Sequence, residues 1–209
     1  MKHKKLITVI SSVIILLPIA FGLIVWDKLP QTITTHWGAD GTANGWQSRL
    51  AVVLQPLFFL VLHFVCIGAV YFDKRNKFQN PIVMNLLYWL MPALSIFTCF
   101  VIYANALGFE VSVMFFAQLF IGLLFFALGL VMPKMKQNSF VGIRVKWTLE
   151  NEDNWNATHK IGGKIWAWCG AVMALSSFLP SEFSLIILTG AILVSVIVPI
   201  VYSYKYSKR

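Results

Sequence analysis

Charge is scarce in this chain. Of its 209 residues, 12% are charged and only eight are acidic, whereas an average soluble domain carries about 25% charged residues. That shortage excludes an ordinary soluble globular protein. Cysteine is scarce as well: Cys66, Cys99 and Cys169 each fall inside an apolar run, with no paired or metal-ligand spacing. Small core side chains account for them, and no disulfide framework is implied. The sequence also lacks enzyme signatures, with no H-E-x-x-H, no G-x-S-x-G, no P-loop and no dinucleotide fingerprint. No catalytic residue, metal or cofactor is implied. Internal repeats and low-complexity tracts are missing too.

What the chain has instead is hydrocarbon. Six apolar runs, at 6–26, 51–72, 82–103, 111–132, 161–179 and 183–204, are each long enough to cross about 30 Å of bilayer core as a helix. The expected fold is an all-α integral membrane protein with six transmembrane helices. Lys2, Lys4 and Lys5 ahead of an apolar core also describe a secretory signal. The first run, however, is 21 residues long and ends in Val25, Trp26 and Asp27 with no Ala-x-Ala site, so a retained first helix is expected. Three segments follow: 1–72 as a two-helix unit with an outer loop at 27–50, 73–132 as a middle two-helix unit, and 133–209 as an inner loop plus the last two helices. Pro81 suits a first helical turn, and Pro18, Pro92 and Pro199 predict kinks.

The net charge of +9 does not point to nucleic acid. With the N-terminus inside, 15 of the 17 basic residues fall on inner segments and only Lys28 and Arg49 fall outside. The positive-inside rule then expects both termini in the cytoplasm. The basic excess is a topology signal that also favours anionic lipid head groups. Small residues at Gly163, Ala167, Gly170, Ala171 and Ala174 share one face of the fifth run and predict close backbone packing there.

Two polar stretches interrupt the hydrocarbon. The second of them, 142–164, holds Arg144, Trp147, Trp155, His159 and a cluster of acids. Thr148 or Asn151 can cap a helix with Glu150, Glu152 and Asp153 in its first turn. Trp155, His159, Ile161, Gly162 and Trp166 then recur at steps of three to four, so a helix running into the fifth span is expected. Arg144 is the natural partner of the acids. A folded cap that ties the inner helix ends together is as good an account of this stretch as a functional surface. In the outer loop, Gly38, Gly41 and Gly45 permit turns, and Trp37 and Trp46 can sit at head-group level. His36 and Asp40 form an i, i+4 pair, but two ligands without a third make weak metal chemistry; a compact hydrogen-bonded loop is preferred. His63 is the one ionisable side chain deep in an apolar run, a functional candidate by position. No carboxylate lies at its depth, and a neutral His bonded to a neighbour such as Gln118 or Asn85 is the simpler arrangement.

The inner stretch carries a recognisable pattern. N-x-x-x-G-I-R, then W-T-L, then W, then His with a basic residue and a Lys after a small residue, resembles the SdpI family of bacterial membrane immunity proteins against the sporulation-delaying peptide toxin. The residues that match are Asn138, Gly142, Ile143, Arg144, Trp147, Thr148, Leu149, Trp155, His159, Lys160 and Lys164. Lys160 stands where the family more often has Arg, keeping charge but losing fork geometry. The outer loop resembles the family's associated N-terminal domain, L-P-x-x-I-x-x-H-W-G-x-x-G, through Leu29, Pro30, Ile33, His36, Trp37, Gly38, Asp40 and Gly41. Thr34 replaces a usual second Pro, and Gly45, Trp46 and Arg49 stand where an acid and a Lys are often found.

The resemblance implies a multi-pass protein of the bacterial cell membrane that protects against a secreted antimicrobial peptide. Pro30, His36, Trp37, Gly38, Asp40 and Gly41 would face the extracellular toxin. It also implies signalling, with the 144–164 segment of this signature reading out inside to a cytoplasmic winged-helix repressor rather than to nucleic acid directly. The alternatives are a membrane enzyme or transporter with a site at His36 or His63, and a regulatory membrane protein with no toxin.

Overall fold

The computed structural model describes residues 2–72 and 80–208, with side chains from Lys5 onward. The basic turn expected between the second and third helices, with Lys74, Arg75 and Lys77, lies outside the described residues. So do the side chains of Lys2 and Lys4, and Arg209. In chain order the elements are α1 (Lys2–Ile24), β1 (Thr32–Trp37), β2 (Ala43–Ser48), α2 (Arg49–Leu54), α3 (Pro56–Phe72), α4 (Pro81–Ala106), α5 (Val113–Val131), α6 (Lys146–Glu150), α7 (Glu152–Ser176) and α8 (Ser181–Tyr206).

Among the described residues, five helical stretches are long and apolar enough to cross a membrane: Lys5–Ile24, Arg49–Phe72, Pro81–Ala106, Val113–Lys134 and Ser181–Tyr206. The sixth expected span belongs to α7, whose composition sets it apart. Its first turns are polar, and Lys160, Lys164 and three glycines thin out the apolar part. Pro18, Pro92 and Pro199 sit inside α1, α4 and α8, as expected. Pro56, which the sequence pattern did not single out, divides the second span into α2 and α3, since it has no N–H to continue the ladder.

The 27–50 loop is not merely a compact loop. β1 and β2 pair as an antiparallel hairpin with Thr32 opposite Ser48 and Thr34 opposite Trp46, and the register slips on either side of His36. The strand β1 is Thr-Ile-Thr-Thr-His-Trp, rich in the β-branched and aromatic residues that suit a pleated surface. The all-α expectation therefore needs one amendment: the helices carry a two-stranded hairpin.

The described residues of Met1–Gly68 and Asn85–Val113 form one compact unit, and those of Ala69–Met84 and Met114–Arg209 a second. The core of the first joins the base of the hairpin to the helices: Leu29, Ile33, Val52, Val53, Cys99, Ile102 and Tyr103 pack together. Two hydrogen bonds tie α4 to α1, from Ser95 Oγ to the Ile15 carbonyl at 2.9 Å and from Tyr103 Oη to the Pro18 carbonyl at 3.2 Å. A Cβ at Gly22 would lie 2.4 Å from Tyr103 Oη, so the second bond requires glycine there.

The second unit is built on backbone contact between α5 and α7. A Cβ at Gly122 would meet the Ala174 nitrogen at 2.4 Å, one at Gly129 the Ala167 nitrogen at 2.3 Å, and one at Gly170 the Phe126 nitrogen at 2.3 Å. The small-residue face read from the sequence is this packing seam, which works because dispersion between bare backbones replaces side-chain burial. Gln118 adds a polar tie, donating to Ser176 Oγ at 2.8 Å and accepting from Ser184 Oγ.

Candidate functional site

The 133–164 stretch folds as a buried clamp with charged residues outside it. Its loop is organised by Asn138, which is fully buried. The Asn138 amide donates to the Lys136 and Val141 carbonyls, both at 2.9 Å, and its oxygen accepts from the Phe140 and Val141 amides at 2.8 and 2.7 Å. All its hydrogen-bonding capacity is used. Gln137 reaches the end of α6, donating to the Thr148 and Leu149 carbonyls at 2.8 and 3.1 Å. Thr148 Oγ1 accepts from the Val145 amide at 3.1 Å and donates to the Ile143 carbonyl at 2.8 Å. One buried hydroxyl thus starts α6 and holds the preceding loop against it.

The other jaw is α7. Asn151 caps it by accepting from the Asn154 amide at 2.9 Å; Glu152 and Asp153 occupy its first turn as expected, whereas Glu150, expected with them, ends α6. Trp155 is fully buried, stacks on His159 with centroids 4.0 Å apart, and donates its indole N–H to the Met135 carbonyl at 2.9 Å. His159 Nδ1–H donates to the Trp155 carbonyl at 2.8 Å, and Nε2 accepts from the Ile143 amide at 3.0 Å. Both bonds hold together only in the neutral tautomer with the proton on Nδ1. Burial lowers the His159 pKa to about 4, although the bond to the Trp155 carbonyl acts the other way.

Gly142 is forced by this arrangement. Its φ is +124°, and a Cβ would lie 2.4 Å from His159 Nε2 and 3.0 Å from the Trp155 ring. The spacing from Gly142 to Trp155 and His159 is therefore a packing requirement across a loop closure. Asn154 and Thr158, which sequence reasoning passed over, bind α7 to α8. Asn154 donates to the Ser203 carbonyl at 3.0 Å and accepts from Ser203 Oγ at 2.8 Å and Thr158 Oγ1 at 2.9 Å. The available signal was two polar residues at i, i+4 beside Trp155 and His159, on the face that the helix buries. Trp147 packs edge-on against Tyr204 with centroids 5.4 Å apart.

Arg144 departs from expectation. Its side chain is exposed, and among the described residues it forms no ion pair with Glu150, Glu152 or Asp153; neutral hydrogen bonds hold the loop instead. Lys160 and Lys164 are exposed as well. The predicted residues thus separate into two sets. Asn138, Gly142, Ile143, Trp147, Thr148, Trp155 and His159 build the clamp, and Arg144, Lys160 and Lys164 face outward.

The hairpin turns on Gly38–Gly41. Gly38 N–H donates to the Thr42 carbonyl at 2.8 Å and Gly41, with φ +80°, donates to the Gly38 carbonyl at 3.0 Å. Asp40 accepts from the Thr42 amide at 3.0 Å and Thr42 Oγ1 at 2.8 Å, and these bonds hold its carboxyl below the usual value. His36 Nδ1–H donates to Asn44 Oδ1, so its partner is Asn44 across the strands and not Asp40. Among the described residues no group of three or more His, Cys, Asp or Glu side chains is placed to hold a metal. Arg49 pins the base of the hairpin, donating to the Trp26 and Leu29 carbonyls at 2.9 and 3.2 Å and lying 4.3 Å from the Trp26 ring centroid. Pro30, His36 and Asp40 are exposed, whereas Trp37 and Gly38 are half-buried.

His63 is fully buried in α3, and its partner is neither Gln118 nor Asn85. Its Nε2–H donates to Ser11 Oγ at 2.8 Å, and that hydroxyl donates onward to the Thr8 carbonyl at 3.0 Å. Among the described residues its Nδ1 has no hydrogen-bond partner.

Long apolar helices joined by small polar elements define a multi-pass protein of the bacterial cell membrane. The SdpI/YfhL protein family model matches residues 134–203, which span the clamp, α7 and α8, and a domain of unknown function (DUF1648) matches residues 13–60. The chain is 24% identical to the immunity protein SdpI of Bacillus subtilis (strain 168) over 205 residues, 96% of each chain. On these matches the chain is similar to the SdpI/YfhL family. No solved structure matches.

Proposed function

We propose that this chain is a membrane immunity protein that protects its cell against a secreted antimicrobial peptide. The observation that carries the proposal is the likeness to an immunity protein along 96% of both chains, which takes in the hairpin, the helices and the clamp together. In this reading α7 is the sixth span and both termini lie in the cytoplasm. From Ile161 to Ser176 it has 16 residues, about 24 Å of helix, short of about 30 Å of hydrocarbon. Lys164 reaching back to the interface makes up part of the difference. The functional division is 1–72, 73–132 and 133–209.

The hairpin is then the extracellular face, where Pro30, His36, Trp37, Gly38, Asp40 and Gly41 meet the peptide. The exposed Arg144, Lys160 and Lys164, held in fixed positions by the buried clamp, form the cytoplasmic face, and a winged-helix repressor is the partner they engage. A clamp alone would need only its buried residues. Three exposed cations around it favour a readout surface, because guanidinium and ammonium groups in water contribute little to stability.

Deleting the gene in its own host and challenging the cells with secreted peptide from neighbouring strains tests the protective role. Increased sensitivity, restored by re-expression, is expected; unchanged sensitivity to every peptide tried sinks it. For the readout, Arg144→Glu should abolish reporter induction while the protein remains in the membrane at its normal level, and unchanged induction removes Arg144 from the signalling surface.

A further inference from the structure

We infer that a groove between α5 and α7 binds one anionic phospholipid, its acyl chain along the helix seam and its phosphate at Lys164. The groove, with a volume of about 310 Å³, is lined by Phe126, Gly129, Leu130 and Pro133 from the α5 side and by Gly163, Lys164, Ala167, Trp168 and Ala171 from α7. That volume falls at the lower end of ligand clefts.

Its floor is bare backbone. Gly129 and Gly163 carry no side chain where α5 and α7 touch: a Cβ on Gly163 would lie 2.7 Å from the Gly129 carbonyl and 2.6 Å from Pro133 Cδ. Phe126 and Leu130 form one wall and Trp168, 75% exposed, forms part of the other. The α5 wall fixes the depth: Val113–Lys134 is one of the apolar crossing stretches, so Pro133 and Lys134 mark its polar end and Phe126 lies about two turns into hydrocarbon.

Charge decides the occupant. Lys164 is the one charged lining residue; it stands at the Pro133 end, is exposed, and among the described residues it pairs with no acid. Lys160 precedes it by one helical turn and Lys134 follows Pro133. An apolar slot with cations only at its head-group end matches an amphiphile with a negative head. A zwitterionic lipid offers Lys164 a phosphate already neighboured by its own cation and so gains less from it, and a free anion would leave the slot unfilled. This inference concerns the lipid surroundings of the second unit and does not depend on a toxin.

Native mass spectrometry of the full chain released from nanodiscs of mixed phosphatidylglycerol and phosphatidylcholine tests it. The wild type should retain phosphatidylglycerol over phosphatidylcholine, Lys164→Gln should lower that preference roughly fivefold, and Lys164→Arg should keep it. Ala171→Phe, which fills the tail end, should lower retention without loss of helicity by circular dichroism. Lys146→Gln, on α6 away from the groove, should leave retention unchanged. Equal retention by Lys164→Gln and the wild type overturns the proposal. So does an equal loss in Lys146→Gln, which would mean diffuse surface charge. Displacement of the bound lipid by inorganic phosphate, with no effect of Ala171→Phe, would overturn it as well, by showing an anion site without a tail slot.

Discussion

The chain places a histidine in each of its two polar stretches and treats them in opposite ways. His36, on the hairpin, is exposed and bonded to one cross-strand neighbour, Asn44. His159, in the clamp, is buried against Trp155 with both ring nitrogens engaged. The hairpin shows most of its polar residues to solvent and hides one anchor, Ile33, whereas the clamp buries Asn138, Thr148, Trp155 and His159 and leaves its charged residues outside. A motif residue in the hairpin is therefore available for contact. In the clamp it is mostly structural, and Arg144, Lys160 and Lys164 are the cations left exposed.

This contrast can be broken by mutation. The largest effect is expected from Trp155→Ala, which empties a fully buried site and should cost about 3–5 kcal/mol, read as a fall in the melting temperature of the detergent-solubilised protein. Gly142→Ala comes next. A side chain at φ +124° costs about 1–3 kcal/mol in backbone strain alone, and the contact with His159 adds to it; protease cleavage within the 135–145 loop should rise sharply. Asn138→Ala strands the backbone groups that its side chain serves, at about 1–3 kcal/mol, and the same proteolysis should detect it. If any of these variants melts like the wild type, the clamp is not what holds the segment together.

Acid offers a gentler probe. His159 has a folded pKa of about 4 against an ordinary value of 6.5, so the folded state resists protonation. Its contribution is complete above pH 6.5 and declines as the pH falls from 6.5 toward 4, where the unfolded chain takes up a proton that the folded clamp excludes. Melting temperature plotted against pH should fall through this window in the wild type and less steeply in His159→Gln. Parallel slopes would remove His159 as the acid-sensitive group. The smallest effect is expected at the hairpin: His36→Ala should change stability by no more than about 0.5 kcal/mol, as exposed substitutions do, while lowering peptide protection. A large loss of stability there would erase the distinction between the two stretches.

Much of this was legible in the sequence. Apolar length announced the membrane spans, because hydrocarbon thickness sets a minimum run of apolar residues whatever surrounds them. The small-residue face of α7 and the capped start of that helix follow from local spacing for the same reason: periodicity and capping are properties of neighbouring residues. The family pattern marked both polar stretches. The hairpin was less visible, since its glycines suggested a loop and β1 is only six residues long.

The pairings were not legible. Sequence supplies plausible partners by charge and residue type, matching Arg144 with acids and His63 with Gln118 or Asn85. Only the folded chain brings Ser11 to His63, Met135 to Trp155 and Ser203 to Asn154, contacts separated by 52, 20 and 49 positions. Composition and local spacing determine that this chain enters a membrane and where its polar stretches fall. Which of those polar residues are spent inside the fold and which remain free is decided by tertiary packing, because a buried polar group must find its partner wherever the chain happens to deliver one.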